Sequence, residues 1–184
     1  MDLLSGLNLP PSLDDKLLAL MIYPEREAGL LAQGHGRRYA DVNQTGGSVF
    51  ALDRMHITLG DFVLKGSIAS LVEKISRAVA RLKIAPFEVS FDQIGGFTDD
   101  VVLQGAGVES LKSFQADLCR ALAWEKLDKG FRRFTPHMTV IYGRPGGVVM
   151  PIEPVRWIVR DFVLLISHQG EGRHETLVRF PLIG

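Results

Sequence analysis

The chain has 184 residues, 46% of them hydrophobic, and 21 Lys plus Arg balance 21 Asp plus Glu, so the formal net charge is zero. That length suits one domain or two small halves sharing a core, and zero net charge excludes a general pull on a long nucleic-acid backbone. One cysteine, Cys119, excludes an internal disulfide and fits the reducing cytoplasm, the expected location.

The opening MDLLSGLNLPPSLDDK has no basic stretch leading into an apolar run, so no secretory signal is read there. No apolar span approaches the roughly 18 residues of a transmembrane helix, so no membrane partner is expected. Residues 1–14 are predicted to be a loosely held extension. KLLALMIYP (16–24) is an apolar run stopped by Pro24 and reads as a buried strand. EREAGLLAQGHGRRYADV (25–42) permits a helix, but its three glycines predict a short or broken one. GGSVFALDRMHITLGDF (46–62) is predicted to hold an entering strand and a second strand carrying His-x-Thr.

Ser67 to Leu82 is an amphipathic helix. Ile68, Leu71, Val72, Ile75, Val79 and Leu82 fall at helical spacing, and Ser67 is a plausible N-cap. In PFEVSFDQIGGF (86–97), Phe87, Val89 and Phe91 alternate with Glu88, Ser90 and Asp92, which predicts a half-buried strand. Gly-Gly-Phe-Thr reads as the bend to a partner strand, DDVVLQG (99–105). A second helix over Val108 to Trp124 carries Leu111, Phe114, Leu118 and Leu122 on one stripe. TPHMTVIYG (135–143) repeats His-x-Thr in a β-like stretch. GRPGGVVMPIEP (143–154) reads as a loop, and VRWIVRDFVLLIS (155–167) and ETLVRFPL (175–182) as two closing strands. Helices are too few and too unevenly placed for an all-parallel sheet, which predicts an α+β fold of mainly antiparallel sheets covered by helices.

The two motifs carry the chemistry. Side chains alternate along a strand, so His56 and Thr58 share one face while Met55, Ile57 and Leu59 take the other. By the same rule His137, Thr139 and Ile141 share a face, and Met138, Val140 and Tyr142 the opposite one. If the strands face across a cleft, its floor carries two imidazoles and two hydroxyls, and the repeated motif hints at two duplicated halves. Hydroxyls can donate to phosphate oxygens, and two imidazoles can divide general-base and general-acid work. If both kept a pKa of about 6.5, the productive pairing would occupy roughly a fifth of molecules at pH 7. A lone His-x-Thr is usually an ordinary strand pair; two copies, each with an apolar reverse face, are not. Neither motif supplies the further close ligands that zinc needs, so no metal or other cofactor is expected.

The stretches LDRMHITLGDF and RRFTPHMTVIYGR resemble the 2H phosphoesterase superfamily, in its 2′-5′ RNA ligase-like or RNA 2′,3′-cyclic phosphodiesterase branch. PFEVSFDQIGGF, VRWIVRDFVLLIS and GRHETLVRFPL support the resemblance, which runs from about Lys16 to Leu182. It implies a single bilobal, pseudo-twofold domain over residues 15–184, with antiparallel sheets lining a central cleft. It implies opening of 2′,3′-cyclic phosphates to 2′-phosphates, with His56 as acid and His137 as base; the near-symmetric motifs do not themselves order the roles. Three positions depart from the family. Gly60 and Asp61 follow the first motif where aromatic or basic residues are common, Arg144 lies slightly further along than the family's arginine, and His174 stands near an expected tyrosine. These bear on substrate choice.

Other candidates are weighed against blander roles. Arg54 could add charge to the cleft or pair with Asp53 or Asp61. Arg144 suits phosphate. Lys129, Arg132 and Arg133 could bind backbone phosphates or be a solvated loop. Phe131 or Phe134 could stack on a base, though one should be core. His35 could belong to a lid or a surface loop, His168 and His174 are expected to be exposed, and Cys119 to be a buried, inert thiol. The expected partners are RNA 3′ ends or cyclic nucleotides, bound by a monomer. The competing readings are an enzyme or ligase for 2′-5′ linkages or another small cyclic phosphate, and a binding module for phosphorylated RNA ends that does no turnover.

Overall fold

The computed structural model describes residues 16–45, 48–62, 67–127, 134–143, 147–168 and 171–184. The predicted 1–14 extension, Lys129, Phe131, Arg132, Arg133 and Arg144 lie outside the described residues. Among the described residues, eight strands and three helices form an α+β structure. The strands are β1 (Lys16–Ile22), β2 (Ile57–Phe62), β3 (Phe87–Phe97), β4 (Asp100–Gln104), β5 (Met138–Ile141), β6 (Met150–Val159), β7 (Asp161–His168) and β8 (Arg173–Pro181). The helices are α1 (Arg26–Asn43), α2 (Ile68–Val79) and α3 (Glu109–Trp124). None of them is long and apolar enough to cross a membrane.

The strands make two antiparallel sheets, ordered β2-β1-β7-β8 and β5-β4-β3-β6. In each, a motif strand stands at one edge and pairs with an apolar neighbour, which gives the bilobal, pseudo-twofold arrangement. One core joins the lobes. Leu18, Leu20 and Ile22 of β1, Val89 and Phe91 of β3, and Phe114 of α3 belong to the same buried cluster. The other face of β1 and β7 carries a small separate patch of Ala19, Met21, Val163 and Leu165. The Ser67 hydroxyl caps α2 by accepting from the Ser70 N–H.

Several expectations are corrected. α1 is an unbroken helix of 18 residues, although three interior glycines cost it about 1 kcal/mol each in propensity. Tertiary packing supplies the offset. A Cβ at Gly29 would stand 3.3 Å from Leu52 Cδ2, and one at Gly36 3.0 Å from Val49 Cγ1, so two of the glycines are where the helix meets its neighbours. The entering strand before β2 is only a bridge, Val49 to Ile141, followed by a single 3-10 turn, Leu52–Arg54. β3 runs straight through Gly95 and Gly96; the turn lies one step later, at Thr98, with φ of 54°. Gly95 is a close approach instead, since a Cβ there would lie 2.8 Å from Val149 Cα.

β6 starts inside the presumed loop and contains Pro151 and Pro154. It tolerates them because it is an edge strand pairing only with β3. The run VRWIVRDFVLLIS is two strands, not one. β6 ends at Val159, and beyond Arg160 the chain crosses to the other sheet as β7.

Candidate active site

Both motif strands are built alike. Met55, Ile57 and Leu59 are buried, while His56 is half-buried and Thr58 exposed, as alternation predicts. Thr58 pairs with Met21 and Gly60 with Leu20, so Leu59 is an extra residue in the ladder. Thr139 pairs with Val102 and Ile141 with Val101, so Val140 is the extra residue of β5. Each strand therefore bulges immediately after its threonine. A bulge takes a carbonyl out of the ladder, and both are met from elsewhere. Leu59 O accepts from Gln115 Nε2 at 3.4 Å, and Val140 O from the Phe50 N–H at 2.9 Å.

The bulge corrects two face assignments, since Ile141, expected beside His137 and Thr139, turns into the core. Val140 and Ile141 are both buried, and Tyr142, expected on the reverse face, is 70% exposed and lines the cleft beside Thr139. The shift depends on the β4 register and leaves no mark in the local pattern.

The imidazoles are held identically. His56 Nδ1 lies 2.7 Å from Arg54 O, and His137 Nδ1 2.7 Å from Thr135 O. A carbonyl can only accept, so each Nδ1 carries a proton and donates it. In the neutral tautomer each Nε2 then keeps its lone pair. A cleft of about 510 Å³ contains His56, Thr58, Thr139, Arg54, Phe50, Tyr142 and His174 in its lining; His137 is not among its lining residues.

The surroundings differ. Burial pushes the His56 pKa down from 6.5 to about 4, against its bond to the Arg54 carbonyl, and positive charge on His174, His137 and Arg54 adds to the fall. Edge-on rings of Tyr23 at 6.2 Å and His174 at 5.1 Å enclose it. His137 packs instead on Phe97, ring centroids 4.6 Å apart. Among the described residues no group of three or more His, Cys, Asp or Glu side chains is placed to hold a metal ion.

A family model described as the 2′-5′ RNA ligase superfamily matches residues 33–171. The chain belongs to that superfamily. Solved structures repeat its 2H phosphoesterase fold. One described as a phosphoesterase superposes with a TM-score of 0.74 at 21% identity, covering 93% of this chain and 100% of its own. LigT of E. coli, crystallised with 3′-AMP, gives 0.74 at 20%, with 93% and 100% covered. TT0787 of Thermus thermophilus gives 0.68 at 18%, with 91% and 98% covered. No curated protein matches the chain.

The remaining predicted residues of this superfamily member fall as follows. Arg54 lines the cleft from the 3-10 turn rather than from the strand. Its guanidinium lies 4.6 Å over the Phe50 ring, and among the described residues its Nε is buried without a partner and it makes no ion pair with Asp53 or Asp61. Phe134 is half-buried, packed against the core, and is not among the cleft's lining residues. His35 is part of α1 and its Nε2 lies 2.9 Å from Glu153 O, which places it in neither a lid nor a loop. Cys119 is half-buried, packed against the core. His168, expected to be exposed, is 6% exposed, bonded to Glu175 and Arg173.

The sequence reading missed three cleft residues, His174, Phe50 and Tyr142, and also Tyr23, whose ring packs against His56 and His174. His174 was expected in solvent. Tyr23 follows β1, where Pro24 drew attention to the strand's end. Phe50 is fixed at both backbone groups, by Val140 O and by Gln33 Nε2 at 2.9 Å, and its ring stands 6.2 Å from Tyr142, nearly parallel at 23°. The pair of aromatics in FALDRMHIT and TVIYG, each within six residues of a motif histidine, was the available signal.

Proposed function

We propose that this protein is a metal-independent phosphodiesterase that opens 2′,3′-cyclic phosphate ends of RNA or nucleotides to 2′-phosphates. The carrying observation is the matched pair of imidazoles, each with Nδ1–H tied to a carbonyl and Nε2 left for the substrate. Membership of a superfamily of phosphoesterases and ligases supports the reading, as does LigT, which has been crystallised with 3′-AMP and with phosphate.

In this reading His137 Nε2 removes a proton from a water attacking phosphorus. The bond from phosphorus to O3′ breaks on the opposite side, and His56 Nε2–H protonates the departing oxygen. The Thr58 and Thr139 hydroxyls donate to the non-bridging oxygens. Arg54, with its unpartnered Nε, adds positive charge at the wall. His56 is neutral in the empty cleft at pH 7 because its pKa is about 4. The substrate's negative phosphate favours its imidazolium, so binding takes up the proton that the acid later delivers.

The test is incubation with a short RNA ending in a 2′,3′-cyclic phosphate, with EDTA present and products separated by chromatography. A 2′-phosphate is expected. A 3′-phosphate would show that the other ester oxygen leaves, and binding with no product would favour a module that only recognises RNA ends.

A further inference from the structure

β8 is the edge of its sheet opposite β2, yet the His174 ring stands 5.1 Å from His56, at 73° to it. The ring contact brings residues of the two edges of one sheet together, as the twist of a sheet allows. His174 thereby enters the cleft that holds His56, Thr58 and Thr139. It belongs to neither motif.

Its Nδ1 lies 2.7 Å from the Tyr23 hydroxyl. Burial, with the Asp53 carboxylate beside it, pushes the Tyr23 pKa up to about 12, so the phenol keeps its proton. When that proton points at Nδ1, the neutral imidazole carries its own proton on Nε2. The groups around His174 are Tyr23 after β1, Asp53 and Arg54 of the 3-10 turn, His56 before β2, and His168 of β7. Burial first, then Arg54, holds its pKa below the ordinary value, against Asp53. The neutral N–H form is thus the one present at pH 7. No protein group bonds its Nε2 among the described residues.

Neighbouring imidazoles then offer opposite faces. His56, with Nδ1–H given to a carbonyl, offers Nε2 for proton transfer. His174, with Nδ1 taken by a phenol, offers an N–H. A phosphate between them presents a departing oxygen and non-bridging oxygens, and so can engage both.

We propose that His174 is a third substrate-contacting imidazole, whose Nε2–H, oriented by the Tyr23 hydroxyl, donates to a non-bridging oxygen of the phosphate while His56 serves the departing oxygen. This rests on the function proposed above. Tyr23 is a positioning residue, acting through His174.

The experiment measures kcat and KM on a 2′,3′-cyclic nucleotide, and inorganic phosphate binding by calorimetry, for the wild type, His174→Ala, His174→Gln and Tyr23→Phe. Glutamine places an amide N–H near the position of Nε2–H and does not titrate. His174→Ala is expected to lower kcat/KM roughly 10- to 100-fold, as for loss of one donor to an anionic oxygen. It should weaken phosphate binding as well. His174→Gln should recover most of both, and Tyr23→Phe should fall between, because either tautomer then becomes available. The proposal is overturned if His174→Ala matches the wild type, or if His174→Gln is as impaired as His174→Ala. A wild type that turns over no cyclic phosphate sinks the functional reading instead. Phosphate binding then decides His174 alone: weaker in His174→Ala supports the contact, and equal binding removes it.

Discussion

β2 and β5 each follow an imidazole tied through Nδ1 to the carbonyl two residues before it, and each bulges at the residue after the motif threonine. Around that shared backbone the neighbours differ. His56 is enclosed by Tyr23, His174 and Arg54, and its pKa falls to about 4. His137 has Phe97 against its ring. The duplicated backbone therefore holds both rings alike, and the unduplicated neighbours set the His56 pKa apart. The acid–base reading proposed above calls on both the shared holding of the rings and their unequal environments.

The way to break this comparison hardest is to change the leaving atom. With a cyclic substrate whose departing oxygen is replaced by sulfur, no proton is needed on departure. His137→Ala should remain depressed by about 10³-fold, within the usual span for a general base. His56→Ala should recover to within about tenfold of wild type. Steady-state rates on the two substrates check this, and recovery by His137→Ala instead would exchange the roles.

The threonines should behave as equals, since they stand at matching bulges. Thr58→Ala and Thr139→Ala are each expected to lower kcat/KM roughly 10- to 100-fold by losing a bond to a charged oxygen. A silent Thr58→Ala beside an impaired Thr139→Ala would show that only one half touches the phosphate.

The pH profile sharpens the inequality. The active pair holds one proton. As pH falls, a second binds and activity is lost, and the His56 environment sets that step near pH 4. The acidic limb of kcat/KM should thus lie near 4, and the limb in kcat higher, because bound phosphate favours the imidazolium. An acidic limb at the ordinary imidazole value in kcat/KM would show that His56 is not held neutral.

The smallest effect concerns the support of β5. Val49 bridges Ile141, and Gly36 of α1 packs on Val49, whereas nothing stands within 4 Å of a Cβ at Gly34. Gly34→Ala should add about 1 kcal/mol, or roughly 2–4 °C in Tm. Gly36→Ala should gain less, because Val49 must move. Thermal melts of the two variants test this.

How much of this was legible in the sequence follows from range. The alternation in MHITL is local, and it placed His56 and Thr58 correctly. The α2 cap and stripe are local too. Tyr142 was misassigned because the bulge at Val140 exists only against β4. His174 was put in solvent because a strand's own sequence does not show which distant edge the twist will bring over it. The break at Arg160 was hidden because β6 and β7 both read as apolar strands, and only the partner sheets differ. The unbroken α1 was missed because glycine propensity is a local cost, and the contacts that offset it, with Leu52 and Val49, lie elsewhere in the chain.

The central proposal is that the two motif imidazoles do the chemistry. It is tested most directly by kcat/KM on a 2′,3′-cyclic nucleotide for the wild type, His56→Ala, His137→Ala and the double variant, in EDTA. Each single variant should lose about 10³-fold, and the double should be little worse than either, because the pair acts as a unit. Retained turnover in both single variants would contradict the account.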